Sequence, residues 1–200
     1  MGWPTADAKT VTAHGKKGTV QTFQTGVATV QGTPRTVTGA TGSNYVFHGG
    51  PTGVLGWPTG SSLKSTANGG GWSQRFQGGT VFWSAKTGAH ALGTGPLLSL
   101  YDKRGGTTGS LGWLKSTGSS KAGVGGKLAV FTNGRIYSSK AGTDAVLGAI
   151  LNRYLAKGGT KGVLGWPTSN ASTKKGITVQ TFQHGRITWT KSGGAKATRK

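Results

Sequence analysis

The side chains that could carry out acid–base catalysis are few and widely separated. The 200 residues include only three acidic side chains, Asp7, Asp102 and Asp144. Glycoside hydrolysis usually needs two carboxyl groups flanking one bond, whereas these three lie in a polar loop, near a predicted helix end and near a predicted helix start. Asp144 fits a first-turn residue on the helix dipole, and Asp102 fits a surface ion pair with Lys103 and Arg104. We therefore expect no glycosidase within this chain.

Metal, nucleophile and phosphate chemistry have equally little support. A zinc hydrolase needs converging His, Asp or Glu ligands, but His14, His48, His90 and His184 have neither His-x-x-x-His nor His-Glu-x-x-His spacing. The sequence has no cysteine, no Gly-x-Ser-x-Gly elbow and no glycine-rich loop ending in Gly-Lys-Ser/Thr. We therefore predict a non-enzymatic chain without a metal or a cofactor.

Two motifs recur four times in the same order and at nearly constant spacing. The first contains Gly-Trp, and its glycines are 54, 56 and 53 residues apart; the second contains a phenylalanine, spaced by 53, 55 and 51 residues. Such periods indicate stacked or radially arranged units that cannot bury a core alone. The motif residues predicted to form the repeat core are Gly2, Trp3, Pro4, Leu55, Gly56, Trp57, Pro58, Leu111, Gly112, Trp113, Leu164, Gly165, Trp166, Pro167, Phe23, Phe76, Phe131 and Phe182.

Local patterns within each unit predict a β-hairpin and a short helix. After the Phe-x-x-Gly string come β-branched and aromatic residues at 80–83 and 186–189, and this arrangement is typical of a hairpin with glycine in its turn. Apolar spacing predicts helices over 143–157 and 96–104, with a weaker one before Gly49. The fold is therefore expected to be mainly β with short helices, in tandem repeats that form a propeller-like ring or a compact array, with the ring favoured.

These patterns divide the chain into four units and a tail. The units span about 1–37, 38–90, 91–142 and 143–190 of one repeat domain, and 191–200 is predicted to be a flexible basic tail. The first motif lacks its leucine and its helix. We therefore expect a fragment of a longer secreted protein.

The two ordered motifs resemble those of the LGFP-repeat family of actinobacterial cell-envelope proteins. The second unit carries the resemblance best, through 53–59, 76–83 and the Thr-Gly-Ala-His-Ala segment at 87–91, whereas the third has Leu114-Lys115 in place of Pro-Thr. The resemblance implies a secreted, non-catalytic module at the cell wall. This module would hold an envelope enzyme, a hydrolase or an acyltransferase, on wall polysaccharide or peptidoglycan. One alternative is a fragment of a peptidoglycan hydrolase, an amidase or muramidase, whose catalytic domain lies outside this chain.

Aromatic and basic side chains are the candidates for ligand binding. Tryptophans outside the Gly-Trp motif can offer flat faces to sugar rings, and the glycan-binding candidates are Trp72, Trp83, Trp189, Tyr137, His90 and Arg186. The chain has 24 Lys and Arg, with a net charge of +21, which favours a polyanionic partner. The candidates for contact with an anionic polymer lie between the two motifs: Lys16, Lys17, Lys64, Lys115, Lys174 and Lys175.

Nucleic acid is a second polyanion that this charge could attract. Basic surfaces with interleaved aromatic rings suit single strands, so a non-specific nucleic-acid-binding protein remains the second alternative. The sequence has no helix-turn-helix, zinc-finger or RNP motif, and we therefore expect no sequence-specific nucleic-acid recognition. No apolar run is long enough to insert into a membrane.

Overall fold

The computed structural model describes residues 1–120 and 125–200. The chain divides into two compact units, Met1–Thr94 and Gly95–Lys200, and each unit contains two four-stranded antiparallel sheets. The mainly β fold with short helices is thereby confirmed. Within the described residues, each strand pairs with its neighbour in the chain and never with a strand of another sheet.

The first unit contains two sheets with one helix between them. The first sheet consists of β1 Lys9–Ala13, β2 Lys16–Phe23, β3 Gly26–Gln31 and β4 Thr33–Thr38. Helix α1 follows at Gly39–Phe47. The second sheet consists of β5 Leu63–Ser65, β6 Gly71–Phe76, β7 Gly79–Ser84 and β8 Gly88–Gly93.

The second unit repeats this arrangement and adds a helix before its first sheet. Helix α2 is Pro96–Lys103, and the third sheet consists of β9 Leu114–Ser120, β10 Gly126–Phe131, β11 Gly134–Ser139 and β12 Gly142–Leu147. Helix α3 is Gly148–Ala156, and the fourth sheet consists of β13 Ser172–Lys174, β14 Ile177–Phe182, β15 Gly185–Thr190 and β16 Gly194–Arg199.

Each repeat has twice as many strands as the single hairpin that the sequence predicts. The predicted hairpin is the middle pair of strands, such as β6 and β7. The predicted polar loop forms the first strand, and 88–93 forms the fourth. The first strands β5 and β13 have three residues each and are largely exposed, so they lack the alternation of apolar and polar residues by which a half-buried strand is recognised.

Two boundary predictions are wrong because a strand occupies residues that the sequence analysis assigned to a helix or to a flexible tail. The predicted helix over 143–157 begins only at Gly148, since the residues before it form β12, where Ala145 and Val146 are buried. The predicted flexible tail contains β16, which pairs with β15 from Gly185 opposite Arg199 to Thr190 opposite Gly194. Because backbone pairing needs no apolar side chain, the basic composition of this segment concealed a strand.

A tyrosine on each helix forms a hydrogen bond with the Gly-Trp motif that follows that helix in the sequence. The hydroxyls of Tyr45, Tyr101 and Tyr154 donate to the motif glycine carbonyls over 2.8, 2.7 and 2.6 Å. Each ring also stacks on the phenylalanine of the second motif, with centroids 4.5–4.6 Å apart. Burial raises the pKa of all three hydroxyls above the ordinary tyrosine value, so they remain protonated donors.

Tyr154→Phe tests this bond without changing the packing of the ring. We expect the free energy of unfolding to fall by about 1–3 kcal/mol, because the carbonyl of Gly165 loses its buried donor. Urea denaturation monitored by circular dichroism measures the change. Tyr45→Phe is the matched test in the other unit, and an unchanged midpoint in both variants would contradict a stabilising role for the bond.

A tryptophan-lined candidate binding site

In each repeat, the Gly-Trp motif lies alongside the turn between the second and third strands and forms backbone hydrogen bonds with it. The main chain of Trp57 accepts from the backbone N–H of Gln77 over 3.0 Å, and Trp166 accepts from that of Gln183 over the same distance. Pro58 and Pro167 form isolated bridges to Phe76 and Phe182. The two predicted motifs therefore form one structural element.

Three of the four motif tryptophans are buried in the repeat core. Trp57, Trp113 and Trp166 are at most 1% exposed, and the accompanying leucines and phenylalanines of these three repeats are buried as well. The indole N–H of Trp57 donates to the carbonyl of Ala13 on β1 over 3.0 Å. This ring therefore joins the second repeat to the first sheet.

The core prediction is wrong for the first motif. Trp3 is 78% exposed, Gly2 and Pro4 are exposed, and Phe23 is only half-buried. The Trp57 ring is buried because it packs on the first sheet, whereas none of the described sheets covers the Trp3 ring. The local fold of the motif is intact, because the backbone N–H of Trp3 donates to Gln24 Oε1 over 3.1 Å.

Glutamines of the second motif connect neighbouring repeats, a role that the sequence analysis did not identify. The buried side chain of Gln74 donates to the carbonyls of Thr36 on β4 and Gly60, both over 3.0 Å. Gln180 donates in the same way to Ala145 on β12 over 3.0 Å and to Ser169 over 2.8 Å. The signal available in the sequence was the repeated Gln-x-Phe-Gln string.

A pocket on the second sheet brings two of the glycan-binding candidates together. Trp72 on β6 lies directly opposite Trp83 on β7 in the strand register. The two rings line a pocket of about 340 Å³, whose volume lies in the range of small-ligand sites. The other lining residues come from the start of α1 and from the loop before β5: Thr38, Gly39, Ala40, Thr41 and Ser62.

A basic side chain borders this pair of rings. Lys64 on β5 lies opposite Trp72 in the register, and its Nζ is 5.7 Å from the centre of the Trp72 ring, within cation–π range. The row Lys64–Trp72–Trp83 therefore crosses three neighbouring strands. It places one positive charge beside two aromatic faces, and the pocket lining adds hydroxyl groups but no carboxylate.

The corresponding rows of the other sheets lack the tryptophan pair. The partner of Trp189 on β15 is Thr178, and the partner of Ser138 on β11 is Lys127. In the first sheet, Val30 on β3 pairs with Thr19. Among the described residues, the second repeat is therefore the one in which this register brings two large rings side by side.

The remaining glycan-binding candidates lie away from this pocket. Tyr137 is buried and meets the rings of Tyr154 and Trp166 edge to face at 5.6 and 6.3 Å, so its predicted role as a surface contact is wrong. Trp189 is half-buried and packs against the same core cluster. His90 is half-buried on β8, with Nε2 2.7 Å from the carbonyl oxygen of Thr87. The exposed side chain of Arg186 is on the fourth sheet.

The predicted anionic-polymer contacts are all exposed. They lie on or beside the first two strands of the sheets, at Lys16, Lys17, Lys64, Lys115, Lys174 and Lys175. The first unit has seven basic residues and a single acid, Asp7, so its own charge is strongly positive. Exposed charge of this kind raises the local concentration of a polyanion and is screened by salt.

The position of Asp144 differs from the one that the sequence predicts. Asp144, which the sequence analysis placed in the first turn of a helix, is buried on β12. Burial raises the pKa of its carboxyl group, and the nearby Arg104 guanidinium offsets only part of this increase. In the part of the chain that the structure describes, no three His, Asp or Glu side chains are grouped to hold a metal ion. The same residues include no helix long and apolar enough to span a membrane.

A comparison with protein families identifies the repeats directly. The sequence model of the LGFP repeat matches residues 55–109, 111–162 and 164–200. Each match begins at the leucine of a Leu-Gly-Trp motif and includes all four strands of its sheet. LGFP repeats occur in cell-wall-associated proteins, and the module is of the repeat or binding type rather than catalytic. A search of curated proteins finds no match.

Proposed function

Because the chain belongs to the LGFP-repeat family, we propose that it is a non-catalytic module that binds cell-wall polysaccharide or peptidoglycan and anchors an envelope enzyme there. The observation that carries this proposal is the pocket between Trp72 and Trp83. Two adjacent aromatic faces with a few hydroxyl groups suit a sugar, which presents C–H groups on its ring faces and hydroxyls on its edges.

The charge of the chain supports an anionic polymer as the ligand. At +21, the protein attracts polyanions from solution, whereas the pocket supplies contacts of short range that salt screens much less. Binding by this mechanism has two components, a salt-sensitive attraction and a salt-resistant contact with the sugar. Because the pocket lies on the second repeat, we expect the salt-resistant contact to be made by that repeat.

Sedimentation with isolated actinobacterial cell walls across a salt series tests the proposal. We expect binding to persist at moderate salt and to disappear when the walls are stripped of their secondary polysaccharide. DNA-cellulose serves as the control polyanion. Binding that falls with salt equally on walls and on DNA-cellulose would mean that charge alone is responsible, and would favour non-specific nucleic-acid binding instead.

Lys64→Gln tests whether the cation beside Trp72 contributes more than overall charge. We expect a several-fold loss of affinity for an acidic wall polysaccharide, because the variant removes the charge that borders the pocket. Lys9→Gln on β1 makes the same change in net charge within the same unit. Equal losses in the two variants, measured by isothermal titration calorimetry, would show that Lys64 acts only as part of the general charge.

A further inference from the structure

The pocket between Trp72 and Trp83 is also lined by the start of helix α1. Ala40 and Thr41 belong to the first turn of this helix, where backbone N–H groups have no acceptor within the helix itself. Among the described residues, no side chain caps the helix by a hydrogen bond, and its first turn contains no acidic residue. The aligned peptide dipoles make this end of a helix partially positive. The pocket therefore offers hydrogen-bond donors that suit an anionic group.

A buried hydroxyl group in the same pocket has no partner. Thr41 is 4% exposed, and in the described part of the chain its hydroxyl takes part in no hydrogen bond. Burying a hydroxyl group without a partner costs free energy. The corresponding third residue of α3 is Ile150, which is equally buried, so the fold accepts an apolar side chain at this position. A ligand in the pocket therefore accounts for the Thr41 hydroxyl better than the fold does.

The positive charge of Lys64 is on the same face of the second sheet as the two rings. Residues directly opposite one another in antiparallel strands share a face, and Lys64, Trp72 and Trp83 form one such row. The corresponding row of the fourth sheet has Thr173 and Thr178 in place of the first two. The fourth repeat therefore lacks the cation, one of the rings and the buried hydroxyl together, whereas the second repeat has all three.

We propose that this pocket recognises a sugar unit that carries a carboxylate, such as a uronic acid. The sugar ring packs against Trp72 and Trp83. The carboxylate accepts hydrogen bonds from the Thr41 hydroxyl and the first turn of α1, with Lys64 as the nearby cation. Hydrogen bonds to an ionised acceptor are stronger than those to a neutral one, and helix N-termini bind anions. The inference rests on the proposed function and deepens it, because it names the class of sugar that the wall-binding module selects.

Calorimetric titration with soluble polysaccharide released from actinobacterial cell walls tests this inference at about 0.5 M salt, where attraction between exposed charges is largely screened. Chemical reduction of the carboxyl groups to alcohols converts each acidic sugar into a neutral one with the same ring. We expect this treatment to weaken binding at least about 10-fold, the loss typical of hydrogen bonds to a charged group. Unchanged affinity would overturn the inference and leave the proposed function intact. Absence of binding to the untreated polysaccharide at this salt would contradict the proposed function, and the inference with it.

Thr41→Val removes the hydroxyl group and keeps the shape of the side chain. We expect affinity for the untreated polysaccharide to fall about 10-fold, affinity for the reduced polysaccharide to stay the same, and the melting temperature to stay the same or rise. Ser43→Ala is the matched control, because it removes an exposed hydroxyl from the same helix and should leave affinity unchanged. Full affinity of Thr41→Val for the untreated polysaccharide would overturn the inference. A lower melting temperature would do so as well, because the hydroxyl would then stabilise the fold.

Discussion

Trp166→Ala is expected to lower the free energy of unfolding by about 3–5 kcal/mol, the usual cost of truncating a buried large aromatic side chain. Its ring is 1% exposed and belongs to a cluster with Tyr154, Phe182 and Ile187. The ring also packs over Gly126 of the preceding sheet. The substitution therefore leaves a cavity at the junction of two repeats, where backbone strands on both sides limit how far the structure can collapse.

Trp3→Ala is the control for this prediction, because it removes the same residue from the same motif. Since Trp3 is 78% exposed, we expect a change within about 0.5 kcal/mol, as for surface substitutions in general. Chemical denaturation of the two variants gives the comparison. Similar stabilities for Trp166→Ala and Trp3→Ala would contradict the stabilising role that we assign to the buried Trp166 ring.

The motif spacing predicted the repeats and the middle hairpin of each sheet, because these features depend on residues with strong local preferences. A glycine between β-branched strands specifies a turn, and a recurring Leu-Gly-Trp string specifies a recurring unit. The outer strands were not predicted. Segments such as β13 and β16 consist largely of Ser, Thr, Lys, Ala and Gly, and are strands because a neighbouring backbone offers hydrogen-bond partners. Because backbone pairing does not require particular side chains, the composition of these segments does not identify them as strands.

The candidate site was predictable in its residue types but not in its assembly. Trp72 and Trp83 were candidates because they lie outside the Gly-Trp motif, where their rings can be offered to a sugar. That the two rings lie side by side depends on the register between β6 and β7, which the sequence does not specify. The same limitation explains the error for Tyr137, where burial results from packing against Tyr154 and Trp166, residues of the following repeat.

The sequence analysis assigned the motif tryptophan of every repeat to the core, whereas the structure buries three of these four rings. The motif backbone is the same in the first and second repeats. The Trp57 ring is nevertheless buried, whereas the Trp3 ring is exposed. A consensus describes what each unit contributes by itself. It does not describe the contacts that each unit makes with its neighbour. In repeat proteins, these interfaces between units supply much of the stability.

Trp72→Ala is expected to reduce affinity for the wall polysaccharide by about 10- to 30-fold, the loss typical of removing a central aromatic contact from a binding site. The ring is 40% exposed and lines the pocket, so its removal eliminates one of the two aromatic faces and leaves the repeat core intact. We expect the melting temperature to change little. Because stacking is not an ionic interaction, the loss should persist at high salt, in contrast to the effect of neutralising an exposed lysine.

Trp189→Ala separates loss of the sugar contact from loss of a tryptophan in general. Trp189 holds the same register position in the fourth sheet as Trp83 in the second, but it lies opposite Thr178 and packs against the core cluster. We therefore expect Trp189→Ala to lower the melting temperature and to leave affinity nearly unchanged, the reverse of Trp72→Ala. Calorimetric titration with soluble wall polysaccharide, together with thermal melts, distinguishes the two variants. Equal affinity losses would refute a site confined to the second repeat, because a contact on Trp189 would then be as important as one on Trp72.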